Sequence, residues 1–177
     1  VDLGRVDAAV DRPGHQRHAA RLRRVVVLRH QRHRRQLPEL SRLARRVEHV
    51  HAADPDCPTG LAEHLEEMYQ ELESHMMKEE QILFPMLAGG IYPSGPISVM
   101  EEEHLQHGDA LEVLDKLTNN ITLPADACNT WTALYLGLKE LKEDLMQHIL
   151  LENEILFVQP KAIAKDDDRQ MCCGSCQ

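Results

Sequence analysis

One ten-residue pattern occurs twice and restricts this chain more than anything else in it. His75-Met76-Met77-Lys78-Glu79-Glu80-Gln81-Ile82-Leu83-Phe84 and His148-Ile149-Leu150-Leu151-Glu152-Asn153-Glu154-Ile155-Leu156-Phe157 both read His-x-x-x-Glu-x-x-Ile-Leu-Phe. On a helix, residues four apart stack on one face, so each His-x-x-x-Glu pair presents an imidazole nitrogen and a carboxylate to a common point. Each pair is half of a metal site. One such pair alone is a common solvated contact, but two copies with the same apolar sequel are not. Burying two Glu and two His beside Leu, Met and Phe costs several kcal/mol per unpartnered ion, whereas one multivalent cation compensates both carboxylates at once.

Apolar periodicity places the two copies on the second and fourth of four helices. The first spans roughly 28–52, with Leu37, Leu40, Leu43, Ala44, Val47 and Val50 on one face, and stops before Asp54-Pro55. The second comes after a turn in which Thr59 can act as cap. Its inner stripe is Leu61, Leu65, Met68, Leu72, His75, Met76, Glu79, Ile82 and Leu83, and it ends near Ala88-Gly89-Gly90. The third carries Ile97, Met100, His104, His107, Leu111 and Leu114 and closes at Asn119-Asn120. Pro124 opens the fourth, with Trp131, Leu134, Leu138, Leu141, Leu145, His148, Ile149, Glu152 and Ile155 facing inward. Long helices and short loops predict an all-α, antiparallel four-helix bundle over residues 30–164.

Charge is divided unevenly along the chain. The first 50 residues hold 13 of the 20 Lys+Arg but only five of the 29 acids. Residues 1–29 contain seven Arg, including Arg5 and Arg29, and show neither helical nor strand periodicity, so they are expected to be an extension outside the domain. Their Arg, Val, Ala and Asp mixture without Lys resembles out-of-frame translation of GC-rich sequence. A nucleic-acid arm is disfavoured because interleaved aromatics and any recognition motif are lacking. No run approaches the length of a membrane span and the start lacks a signal peptide's apolar core, which predicts a cytoplasmic protein without a membrane partner. Cys57 and Cys128 are isolated, which is no disulfide framework. Residues 165–177 read as a flexible tail with Cys172, Cys173 and Cys176 as accessory thiols.

The remaining helices supply further imidazoles: His104 on the third and His30 or His33 on the first, with His107 as a possible extra ligand. About four His and two carboxylates suit two iron or manganese ions bridged by the carboxylates. Glu71 and Asp144 extend the stripes by one turn and are the expected partners that orient the imidazoles. His49, His51 and His64, near helix ends, are expected at the surface.

At these residues the chain resembles the hemerythrin-like di-iron proteins of the RIC (repair of iron centres, ScdA-type) family. The blocks that carry the resemblance are Arg32-His33-Arg34-Arg35-Gln36-Leu37-Pro38-Glu39-Leu40, Ser74-His75 through Pro85-Met86, and Gly95-Pro96-Ile97-Ser98-Val99-Met100-Glu101. The resemblance implies a non-haem di-iron centre with His30, His75, His104 and His148 as ligands and Glu79 and Glu152 as bridges. It implies repair of iron-sulfur clusters damaged by nitric oxide or peroxide, with the damaged proteins as clients, NO or O2 as small ligands and a homodimer as a possible assembly. Reduction of nitric oxide at the centre and oxygen binding as in hemerythrin proper are the alternatives. Family members usually have Tyr-His where this chain has Arg29-His30, often begin with a Cys-Cys domain, and place Pro directly after the Phe, where this chain has Val158-Gln159-Pro160, which predicts a longer fourth helix.

Overall fold

The computed structural model describes residues 13–158, with side chains from residue 20 onward. Cys172, Cys173 and Cys176 lie outside the described residues, as do the side chains of His15 and His18. The architecture is an up-and-down bundle of four helices. α1 is Pro13–Val50. α2 is Leu61–Lys78 and runs without a break through a π-turn, Glu79–Leu83, into a last α-turn, Phe84–Ala88. α3 is Ser94–Leu117, and α4 is Asn129–Leu151 with a second π-turn, Glu152–Leu156, at its end. α1 packs on α2 and α4, and α3 closes the ring against the same two.

Several boundaries differ from the sequence reading. α1 starts at Pro13 rather than near residue 28. Val26 is wholly buried and Leu22 and Val27 pack beside it, so this part of the Arg-rich segment is bundle, its apolar contacts overriding a weak local period. Gly60, not Thr59, sits at the start of α2, in a left-handed conformation (φ 90°). There Glu48 Oε1, from α1, accepts the N–H of Ala62 at 2.9 Å, so the helix start is capped from a neighbouring helix. Pro124 lies in the turn before α4, which begins at Asn129. Phe157 ends the second π-turn, so the fourth helix is not lengthened past it.

Two apolar clusters flank a polar layer. The larger, Leu37 through Leu145, fills the end nearer the α1–α2 and α3–α4 loops. The smaller, with Val26, Leu83, Phe84, Ile97, Met100, Leu156 and Phe157, caps the other. α1 and α4 approach closely where Gly137 faces Leu40, since a Cβ there would lie 2.6 Å from Leu40 Cδ2. Among the described residues, no helix is long and apolar enough to cross a membrane.

Candidate metal centre

Both copies of the repeat switch from α to π geometry at their glutamate. Phe84 N–H bonds to the Glu79 carbonyl, and Phe157 N–H bonds to that of Glu152 at 2.8 Å, five residues apart in each case. The extra residue in the turn rotates the next side chains around the helix axis. Leu83 and Leu156 point inward, whereas Ile82 and Ile155, expected on the inner stripe, are 54% and 49% exposed. Each Phe then lands on an imidazole: Phe84 stacks on His30 at 6.0 Å and Phe157 on His104 at 5.8 Å. The repeated Leu-Phe thus places an apolar lid over each half of the polar layer.

Within that layer the six residues singled out from the sequence come together. His30, Glu79, His148 and Glu152 form one group and His75, Glu79, His104 and Glu152 a second, with potential ligand atoms within 4.8 Å of one another in each. Both carboxylates belong to both groups. All six residues are at most 3% exposed. Glu152 Oε1 lies 2.8 Å from His148 Nε2 and Glu152 Oε2 lies 3.0 Å from His104 Nε2. Glu79 Oε2 lies 3.3 Å from His30 Nε2 and 3.6 Å from His75 Nε2.

The hydrogen bonds fit a cation better than they fit the protein alone. His75 Nδ1 donates to Glu103 Oε2 at 2.9 Å and His104 Nδ1 to Asn153 Oδ1 at 2.8 Å, tautomers inferred from these partners. Their Nε2 atoms therefore confront each other across 3.1 Å with a lone pair apiece, which a cation satisfies. Both oxygens of Glu79 and Oε2 of Glu152 are buried without a hydrogen-bond partner. Such orphaned acceptors and lone pairs, all from hard or borderline donors, are what a di- or trivalent first-row metal binds.

Without a cation the layer balances itself with protons. Burial, then the charge of Glu152, pushes the Glu79 carboxyl well above the usual carboxylate range. Burial acts the same way on Glu152, but His148, His104 and His30 outweigh it and hold its carboxyl well down. Burial would lower His30, yet its bonds to Glu152, Glu79 and Glu80 raise it to about 9. Burial, then His104 and His107, pushes His75 down to about 3.

His33 and His107 stand one turn from His30 and His104 and join neither group. His33 stacks on His148 at 5.4 Å and His107 meets His75 edge-on at 4.9 Å. His64 bonds the Ala110 carbonyl and His51 packs on Trp131, both away from the centre. The expected orienting acids are corrected. Glu71 is exposed and makes no such contact, and Asp144 pairs with Arg32 and Gln36 instead of an imidazole. The reason is direction: an inward ring turns its Nδ1 toward the adjacent helix, so its partner comes from there and not from the turn below. The acceptors that do this are Glu80, Glu103 and Asn153, which sequence reasoning missed. Glu80 is held by Arg34, at 2.8 Å, and Glu103 by Lys78. A usable signal existed, since Glu80 and Asn153 come directly after the repeated glutamate in both copies.

The profile of the hemerythrin HHE cation-binding domain matches residues 21–159. The chain belongs to the hemerythrin HHE cation-binding family. Relatives in this hemerythrin family include the proteins named iron-sulfur cluster repair protein YtfE from Citrobacter koseri and Escherichia coli O81, each 55% identical over 142 residues. The protein of that name from Escherichia fergusonii is 54% identical over the same length. These matches cover 79% of this chain and 64% of each relative, so the chain spans under two thirds of their length. The resemblance to the RIC-type hemerythrins read from the sequence blocks is borne out by them.

Proposed function

We propose that the chain binds two iron ions and serves in repair of damaged iron-sulfur clusters by donating iron. The observation that carries the reading is that Glu79 and Glu152 belong to both four-residue groups, the arrangement two bridging carboxylates require. His30 and His148 would hold one ion, and His75 and His104 the other. The names of the relatives supply the repair function. His33 and His107 stay outside both groups, which leaves four imidazoles and favours repair over the imidazole-richer oxygen carriers.

Bound iron would supply exchangeable coordination positions and one-electron redox chemistry. The chain's own contribution is positional. Glu80, Glu103 and Asn153 fix three rings so that Nε2 faces inward, and Phe84 and Phe157 exclude water from one side. Iron as cargo needs ligands that release it. The four imidazoles are neutral donors, and only two formal negative charges hold two cations, which keeps the site less tightly bound than a carboxylate-rich one.

The test begins with anaerobic metal analysis of the purified chain, where close to two irons per chain are expected. Glu79→Leu and Glu152→Leu are each expected to lower that number, and full occupancy in both variants refutes the bridging assignment. The repair step is tested by mixing iron-loaded chain with a nitric-oxide-damaged iron-sulfur enzyme. Recovery of that enzyme's activity in step with iron lost from the chain supports donation. No recovery above that given by free iron refutes it.

A further inference from the structure

The outer hydrogen bonds of the centre obey a two-fold pattern that fails at one imidazole. His30 on α1 bonds Glu80, the residue after Glu79, at 2.7 Å, and His104 on α3 bonds Asn153, the residue after Glu152. His75 on α2 bonds Glu103, the residue before His104. The matching partner of His148 on α4 is the residue before His30. That residue is Arg29, whose guanidinium donates and cannot accept. Nδ1 of His148 and Nε of Arg29 are both buried without a hydrogen-bond partner. Arg29 instead turns its outer nitrogens to Gln147 Oε1, at 3.0 Å, and to Asp144.

Other unpartnered atoms cluster at the same break. His33 is wholly buried, lies nearly parallel to His148 (19°), and has no partner at either ring nitrogen. Gln36, one turn further along α1, has its Oε1 buried and unpartnered while its Nε2 donates to Asp144 Oδ2 at 3.1 Å. Asp144 is fixed in turn by Arg32 Nε at 2.8 Å. Polar atoms on facing positions of α1 and α4, buried and unpaired together, make the surroundings in which ordered water is retained.

We propose that His33 and Gln36 hold ordered water between α1 and α4 and through it accept the Nδ1 proton of His148, with Asp144 closing the chain at the surface. A neutral imidazole offers one acceptor and one donor, which a bridging water can use at once. His33 is thus a positioning residue for the one centre imidazole that lacks a direct acceptor. This rests on His148 being an iron ligand.

Two measurements on the full chain test it. In a metal-free crystal at a resolution that orders solvent, water is expected within hydrogen-bond distance of His148 Nδ1 and of His33 or Gln36, and a dry contact overturns the proposal. In iron-loaded protein, chelator-driven release is compared for wild type, His33→Leu, His33→Gln and the double variant His33→Leu/Arg29→Gln, each checked for folding by its melting transition. His33→Leu is expected to speed release of one of the two irons about ten- to a hundred-fold. Arg29→Gln, by placing an acceptor at the two-fold equivalent of Glu103, is expected to restore slow release, and His33→Gln to stay near wild type. Equal acceleration of both irons, wild-type release from His33→Leu, or no rescue by Arg29→Gln overturns the proposal. Should His33→Leu not fold, His33→Gln and the solvent density decide. A wild-type chain that binds no iron sinks the two-iron reading instead, and the solvent density still decides the water site.

Discussion

Replacing Glu79 by leucine separates what the centre costs the fold from what it does for metal. Glu79 is fully buried, both its oxygens lack hydrogen-bond partners, and its carboxyl is driven well upward by burial and by Glu152. In metal-depleted protein this group is a liability. An unsatisfied buried polar group costs about 1–3 kcal/mol, and leucine, of similar size, removes it. Metal-depleted Glu79→Leu is therefore expected to be more stable than wild type by about 1–3 kcal/mol, which at about 2–4 °C per kcal/mol raises its melting temperature by roughly 2–12 °C. Iron reverses the order, because wild type gains about 4 kcal/mol at a free iron concentration 1,000 times its dissociation constant, and the variant has lost a carboxylate common to both groups. Calorimetry of chelated and anaerobically iron-loaded samples reads both effects. The sign with pH comes from the raised folded pKa. The part of the penalty linked to ionisation is absent below the unfolded value of 4.5 and grows as pH rises, so the advantage of the metal-depleted variant shrinks on acidification toward that value. A chelated Glu79→Leu chain that melts at or below wild type at pH 7 would mean that the carboxylate is satisfied in the native state, and the reasoning fails.

The π-turns predict that Leu83→Ala destabilises by about 2–5 kcal/mol while Ile82→Ala stays within about 0.5 kcal/mol; urea unfolding checks this, and comparable losses at both positions, as a regular helix with both on its inner face would give, refute it. His33, His75 and His107 are held neutral by burial, to about 3, 3 and 4, so their contribution is complete above the unfolded value of 6.5 and is lost as pH falls toward those values. Taken alone, these three histidines take up three protons on unfolding and lower the stability of metal-depleted protein by up to about 4 kcal/mol per pH unit near pH 5, and Glu79, which gives up a proton on unfolding, offsets up to about 1.4 kcal/mol of that; denaturant midpoints read the net slope. His30, raised to about 9, adds an opposite contribution that is lost between pH 6.5 and 9. At the α1–α4 contact, Gly137→Ala is expected to cost about 1 kcal/mol as the tip of Leu40 is displaced, and less than that when introduced into a Leu40→Ala chain, where nothing has to move. Strictly additive losses in that double-mutant cycle would show that the two positions do not meet.

The four-helix bundle and five of the six central residues were legible because each depends on a single helix face, whereas helix spacing left His30 and His33 open and only the family resemblance singled out His30. His75 with Glu79 and His148 with Glu152 are i,i+4 pairs, and His104 lies on the apolar stripe of its helix, so periodicity alone aims them inward. The features that were not legible depend on two helices at once or on a departure from α geometry. Glu103 and Asn153 act on rings of neighbouring helices, a relation that no single-helix spacing encodes. Ile82 and Ile155 were placed inward by counting 3.6 residues per turn through segments that wind more loosely. Val26, wholly buried in an Arg-rich stretch, shows the converse, since one apolar position per turn holds a helix against its neighbours even where the composition is dominated by charge.

The two π-turns and the two shared glutamates are one device. A glutamate that stays on the α-helical course sends the next Ile into the core and leaves its Phe away from the imidazole. Widening the turn at Glu79 and Glu152 moves Leu and Phe one position round, so each carboxylate is flanked by an apolar residue and each of His30 and His104 receives an aromatic face. The polar layer is thereby sealed on the side opposite the main core, where the field of a bound cation is screened least. That seal is also why the metal-depleted layer must hold protons on buried groups, and why the sequence repeats the apolar Leu-Phe as faithfully as the His-x-x-x-Glu before it.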